Sequence, residues 1–217
     1  MFFNNPDVWE VTLLSLKVSG LATAISLLIG LPIGTGLALG RFPGRNILLS
    51  LVNTGMGLPP VVVGLAVAMM LWRSGPLGDL NLIYTPTAIV IAQVIIAAPV
   101  VTGLTLAAMQ QLDPRLRLQL YGLGASRGQM ILSLWRQARL PLLAALMAGF
   151  GSVISEVGAS MMVGGNIRHQ TRVLTTAIVL DTNMGEFGSA IALGVLLLAI
   201  TFLINAALTW IQQRGKK

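Results

Sequence analysis

Leu112-Asp113-Pro114-Arg115-Leu116-Arg117-Leu118-Gln119-Leu120-Tyr121-Gly122-Leu123-Gly124-Ala125-Ser126-Arg127 is the stretch that decides how this chain is read. It is a long polar and basic segment with apolar runs on both sides. Asp113-Pro114 is a helix start, with proline early in the first turn. Gly122 and Gly124 are close enough together to end or bend that helix. A second helix is expected from Ser126 to about Arg139. The segment therefore predicts a helix, a glycine bend and a second helix outside the bilayer, the whole loop covering 112–140. An amphipathic hairpin resting on lipid headgroups has the same composition.

The flanking sequence makes this a membrane protein. Of 217 residues, 55% are hydrophobic and only 10% are charged, where a soluble domain carries about a quarter. The sequence predicts an all-α, polytopic bundle in one domain, with five spans at about 11–39, 58–72, 87–109, 142–163 and 189–210. A span needs roughly 20 apolar residues, so the first one tilts or overhangs. Gly30, Gly34, Gly36 and Gly40 in it form two small-xxx-small pairs suited to close helix packing. Pro32 is expected to bend it.

Lys and Arg are distributed unevenly. Arg41, Arg45, Arg115, Arg117, Arg127, Arg136, Arg139, Arg214, Lys216 and Lys217 fall on one side. Only Arg73, Arg168 and Arg172 fall on the other, with Asp7, Glu10, Asp79, Asp181 and Glu186. The expected topology has the central loop and the C-terminus in the cytoplasm and the N-terminus outside. Trp72 and Trp210 lie near span ends, as interfacial anchors do. The N-terminus lacks a basic region and a small-residue cleavage site, so it is not read as a removable signal.

The chain has no Cys and one His, His169, which excludes disulfides and thiol catalysis and leaves little for a histidine metal site. His169 is expected to be a loop residue. No Ser–Lys dyad or paired intramembrane acids suggest an enzyme. No Gly-x-x-x-x-Gly-Lys-Ser/Thr loop is present to hold ATP phosphates. The breaker run Gly57-Leu58-Pro59-Pro60 is either a helix start or a break lining a cavity. Glu156 is an acid expected within the fourth span, where such a group costs roughly 3 kcal/mol and faces the bundle interior. It reads best as a brace that accepts hydrogen bonds or stays protonated, with gating as the alternative.

Asp113-Pro114-Arg115-Leu116, then Gly124-Ala125-Ser126-Arg127, then Leu140-Pro141 opening a span, resembles the coupling loop of ABC importer permeases. Leu118-Gln119-Leu120 stands where that family carries Glu-Ala-Ala. Ile154-Ser155-Glu156-Val157-Gly158, Gly164-Gly165-Asn166-Ile167 and Arg172-Val173-Leu174-Thr175-Thr176-Ala177-Ile178 are similar to the tungstate, molybdate and sulfate branch, closest to tungstate permeases. The early Leu58-Pro59-Pro60-Val61 segment fits the same branch.

The resemblance implies a prokaryotic cytoplasmic-membrane permease that moves a tetrahedral oxyanion by alternating access. Its implied partners are a second copy, two cytoplasmic ATPase subunits carrying ATP and Mg, and a periplasmic or extracellular oxyanion-binding protein. No cofactor is expected on this chain, and no nucleic acid. Arg117, Tyr121, Gly122, Gly124, Ala125, Ser126 and Arg127 are the implied ATPase-coupling residues. A fixed cation would trap an anion, so the expected path is neutral and polar: Thr54, Pro59, Pro60, Ser152, Ser155, Ser160 and Asn166, beside Glu156. Met161 and Met162 read as packing. A membrane anchor without transport is the remaining alternative.

Overall fold

The structure is a computed structural model that describes residues 6–214. Lys216 and Lys217, used above to read topology, lie outside the described residues. Ten α-helices run in chain order: α1 Pro6–Leu39, α2 Arg45–Met56, α3 Pro60–Leu71, α4 Pro86–Gln110, α5 Pro114–Gly122, α6 Arg127–Gln137, α7 Arg139–Ile154, α8 Gly158–Gly164, α9 Leu174–Asn183 and α10 Phe187–Arg214. Among the described residues, a 3-10 turn covers Gly78–Leu80. No strand occurs among the described residues.

Three helices, α1, α4 and α10, are long and apolar enough to cross a bilayer unbroken. Two bent pairs raise the number of spans to as many as five: α2 with α3, at 103°, and α6 with α7, at 76°. The stretch expected at 58–72 is thus α3 alone. Its 12 residues rise only about 18 Å, short of the hydrocarbon core. The stretch expected at 142–163 is two helices, not one. It opens earlier, at Arg139, and breaks at Ser155-Glu156-Val157 before α8. Pro32 and Pro99 do not end α1 or α4.

The seam between α1 and α4 sets the frame. A Cβ on Gly30 would lie 2.7 Å from Val101 Cγ1, and one on Gly34 only 2.6 Å from the Thr102 carbonyl. Both positions need a bare backbone for the helices to approach this closely. Gly36 makes no such approach: a Cβ there meets nothing within 4 Å. The buried side of α1 also carries hydroxyls, three of which bond within their own helix. Thr12 donates to the Val8 carbonyl at 2.6 Å, Ser15 to Val11 at 2.7 Å and Thr23 to Ser19 at 2.7 Å.

A core of Val18, Ala22, Val67, Leu71, Ile89, Ala92 and Val163 joins α1, α3, α4 and α8. At one end of the bundle, Val8, Leu174, Ala177 and Leu193 join α1, α9 and α10. At the other, Met109, Met130, Leu134 and Ala138 pack with Leu39, Leu116 and Trp135. That second end gathers the basic segments. Arg45 Nε donates to the Leu37 carbonyl at 2.8 Å, Arg117 Nη1 to Leu39 at 3.2 Å, and Gln212 to Leu140 at 3.1 Å. Helix α10 leaves Ile191, Val195, Leu198 and Phe202 exposed along most of its length.

Candidate functional site

Two helix breaks lead into helices that cross each other, α3 and α8. The first, Gly57-Leu58-Pro59, separates α2 from α3. Pro59 is the N-cap and Pro60 the first residue of α3, where a missing N–H costs nothing. The second break is Ser155-Glu156-Val157. Each is followed at once by a contact with the other segment. A Cβ on Gly158 would lie 2.5 Å from Val61 Cγ2, and one on Gly64 would lie 2.6 Å from Ala159 Cα. Non-helical backbone at membrane depth requires burial in protein or a water-filled cavity; Glu156 of the second break is buried and Val157 half-buried, while Gly57, Leu58 and Pro59 of the first are exposed in the single chain.

The second break is held by side chains. Glu156, 8% exposed, accepts a hydrogen bond at Oε1 from Ala159 N at 2.9 Å. Its backbone carbonyl accepts from Thr175 Oγ1 of α9 at 2.7 Å. Gln93 of α4, 2% exposed, donates from Nε2 to the Val153 carbonyl at 3.1 Å, at the end of α7. Glu156 is therefore not a mid-helix acid. It sits in the break and closes a local loop, while Thr175 and Gln93 tie that loop to two other helices. Gln93 is visible in the sequence as a polar residue in an apolar run; nothing local marks Thr175.

The remaining path candidates separate. Ser152 donates to Gly149 at 2.8 Å and Ser155 to Gly151 at 2.7 Å. Thr54, Pro59 and Ser155 are exposed, and Pro60 and Ser152 half-buried. Ser160 is 1% exposed, and its hydroxyl has no hydrogen-bond partner among the described residues. Asn166 lies past α8, in a left-handed turn at φ 51°, and donates to the Thr176 carbonyl at 3.3 Å. It shapes a loop, away from the two breaks in sequence. Met161 is half-buried and Met162 exposed.

That loop is pinned from within and without. The buried Thr171 donates to the Gly164 carbonyl at 2.5 Å and accepts from Ile167 N at 3.0 Å. Leu174 N donates to Ser15 Oγ of α1 at 2.8 Å. Arg168 is bonded to Asp7, and His169 Nδ1 lies 2.7 Å from Glu10 Oε2. Asp7 precedes the apolar part of α1, and the hydrogen bond from Arg168 holds its carboxyl below the usual carboxylate range.

At the basic end, α5 and α6 form the helix–bend–helix element. Asp113 caps α5 by accepting from Arg115 N at 2.8 Å. Gly124 turns the chain at φ 77°, a left-handed conformation that glycine adopts freely. Ser126 and Gln129 make a reciprocal capping box at the start of α6. Tyr121, Gly122, Gly124, Ser126 and Arg127 are exposed at the turn, with Ala125 half-buried. Leu118 and Leu123 are 70% and 83% exposed and had not been singled out from sequence. Arg117 is different: its bond to Leu39 ties the element to α1.

The described residues thus form an all-helical protein with up to five membrane spans, two of them bent pairs, and a basic helical hairpin at one end. A family model described as binding-protein-dependent transport system inner membrane component matches residues 30–217, and the chain belongs to that family. It is 41% identical over 202 residues to a probable anion ABC transporter permease protein of Haloferax volcanii, covering 91% of this chain and 87% of that one. It is 39% identical over 209 residues to the tungstate uptake system permease protein of Peptoclostridium acidaminophilum, covering 96% and 92%. The fold matches a solved bacterial ABC transporter that imports alginate, with TM-score 0.82 and 18% identity over 99% of this chain and 82% of that one.

Proposed function

We propose that this chain is the permease of an ATP-driven tungstate importer in the cytoplasmic membrane. The observation that carries this is the crossing of the two helices that follow breaks, where the break residues apart from Glu156 are uncharged, in a chain so similar to a tungstate permease. Small hydroxyls give a hydrated dianion weak, successive contacts, and no fixed cation traps it there. Glu156 keeps its carboxylate turned to Ala159 N, which suits a brace for the break rather than a ligand.

In this reading the basic end faces the cytoplasm and the N-terminus lies outside. The α5–α6 hairpin enters a cleft on an ATPase subunit that carries ATP and Mg, presenting Tyr121, Leu123 and Gly124. Two copies assemble, covering the exposed polar residues near the α2–α3 break, and a binding protein delivers the anion from outside.

The test is uptake by proteoliposomes containing this chain, its ATPase and its binding protein. ATP-dependent tungstate accumulation is expected to exceed that of molybdate and sulfate; accumulation of sulfate alone overturns the substrate. Topology has its own test. Cysteines at Leu123→Cys and Gln170→Cys, both exposed, should react with impermeant reagents from opposite faces. Reaction from one face rejects the orientation.

A further inference from the structure

A cavity of about 470 Å³ opens at the basic end between α1, α5 and α6. Its two halves differ in chemistry. Pro32, Leu39, Met130, Ile131 and Trp135 line an apolar part, while Arg117 and Arg127 stand beside Tyr121. From Pro32 to Gly40 helix α1 rises about 12 Å, so the cavity starts at the water boundary and reaches into the depth of the acyl chains. A soluble partner at the hairpin would have to reach two turns inside α1 to fill it.

We propose that this cavity holds one phospholipid with an anionic headgroup, drawn from the leaflet at the basic end. This goes beyond the transport reading and does not depend on which anion is carried. The site is organised in advance. Arg117 is half-buried, fixed by its bond to Leu39 and by its guanidinium 5.8 Å from the Tyr121 ring centroid. Its other N–H groups are left for a phosphate, which guanidinium forks bind well. Trp135 donates from Nε1 to Thr35 Oγ1 at 2.9 Å, which locks the indole as a wall at the interface, where tryptophan is favoured. Gly36 lines the cavity, and a Cβ there would enter open space. Bare backbone at that point leaves room for an acyl chain.

The experiment uses the full-length chain in zwitterionic detergent, with retained lipid read by native mass spectrometry. The probes are phosphatidylglycerol, phosphatidylcholine of the same acyl chains, and inorganic phosphate. One phosphatidylglycerol per chain should be retained, preferred over phosphatidylcholine by about tenfold, because each interfacial arginine favours an anionic headgroup. The R117Q/R127Q double variant should lose that preference. Gly36→Leu keeps both arginines, suits a helix and fills the acyl part, so it should lower retention of phosphatidylglycerol. Size-exclusion profiles matching the unsubstituted chain establish that both variants are folded. Equal retention of the two lipids overturns the proposal. So does unchanged phosphatidylglycerol retention in Gly36→Leu, or its displacement by millimolar inorganic phosphate, which identifies a free-anion site instead.

Discussion

The α1–α4 seam and the α3–α8 crossing both depend on glycine, and they differ in what the backbone does next. Along the seam, Gly30 and Gly34 sit in an unbroken helix against Val101, Thr102 and Thr105. At the crossing, Gly64 and Gly158 bring together helices that have each just been interrupted. Along the seam the backbone is paired within each helix, and the buried Thr105 hydroxyl against Gly34 has no partner among the described residues. The crossing needs Glu156, Thr175 and Gln93 to hold groups a helix would have paired. A shared packing device thus serves a fixed post in one place and a joint in the other.

The largest expected effect is on the post. Gly34→Val places a Cβ 2.6 Å from the Thr102 carbonyl, which is backbone and has little room to yield. Overpacking costs about 1–3 kcal/mol or more, so folded, monodisperse protein should be largely lost in detergent extracts. Recovery at normal yield with an unchanged melting temperature would show that the seam is looser than its geometry.

The joint comes next. Glu156→Ala removes the acceptor for Ala159 N and should destabilise by about 1–3 kcal/mol, read as a lower melting temperature. Glu156→Gln keeps an oxygen acceptor and should retain both stability and tungstate uptake. If Gln is as defective as Ala, the ionised carboxylate is the working feature, and the bracing account fails.

Gly124→Val separates transmission from packing. A β-branched residue at φ 77° carries roughly 1–2 kcal/mol of strain in a turn remote from both glycine contacts. Assembly should persist or weaken while ATP-driven uptake is lost; normal uptake removes the hairpin from the mechanism. The smallest effect belongs to Gly20→Ala in α1, where a Cβ meets nothing within 4 Å. Its melting temperature should match the parent or rise slightly, given the better helix propensity of alanine.

The sequence made some of this legible and hid the rest for physical reasons. The α5–bend–α6 element could be read because Asp113-Pro114, the Gly122–Gly124 pair and Ser126 are local signals with local causes. Gly30 and Gly34 could be read as packing residues from their spacing, although Gly36 in the same stripe packs against nothing. The break at Ser155-Glu156-Val157 was not legible as a break. It lies in an apolar run, without proline, and its stability comes from Gln93 and Thr175, residues distant in sequence. The same holds for Arg117, whose partner Leu39 is 78 positions away. At Asn166 the polarity was visible in the sequence, while its left-handed turn and its bond to Thr176 were not.

The hydroxyls of α1 have a consequence for how the protein is made. Leu39 leaves the ribosome 78 residues before the arginine that bonds its carbonyl, an interval of about 4–16 s at ordinary synthesis rates. Until α4 begins at Pro86, in the first part of that wait, α1 has neither α4 nor the hairpin beside it. Because Thr12, Ser15 and Thr23 bond to carbonyls of their own helix, the nascent segment presents few unmatched donors to lipid. The first span can therefore lodge in the membrane early and serve as the template on which later segments settle.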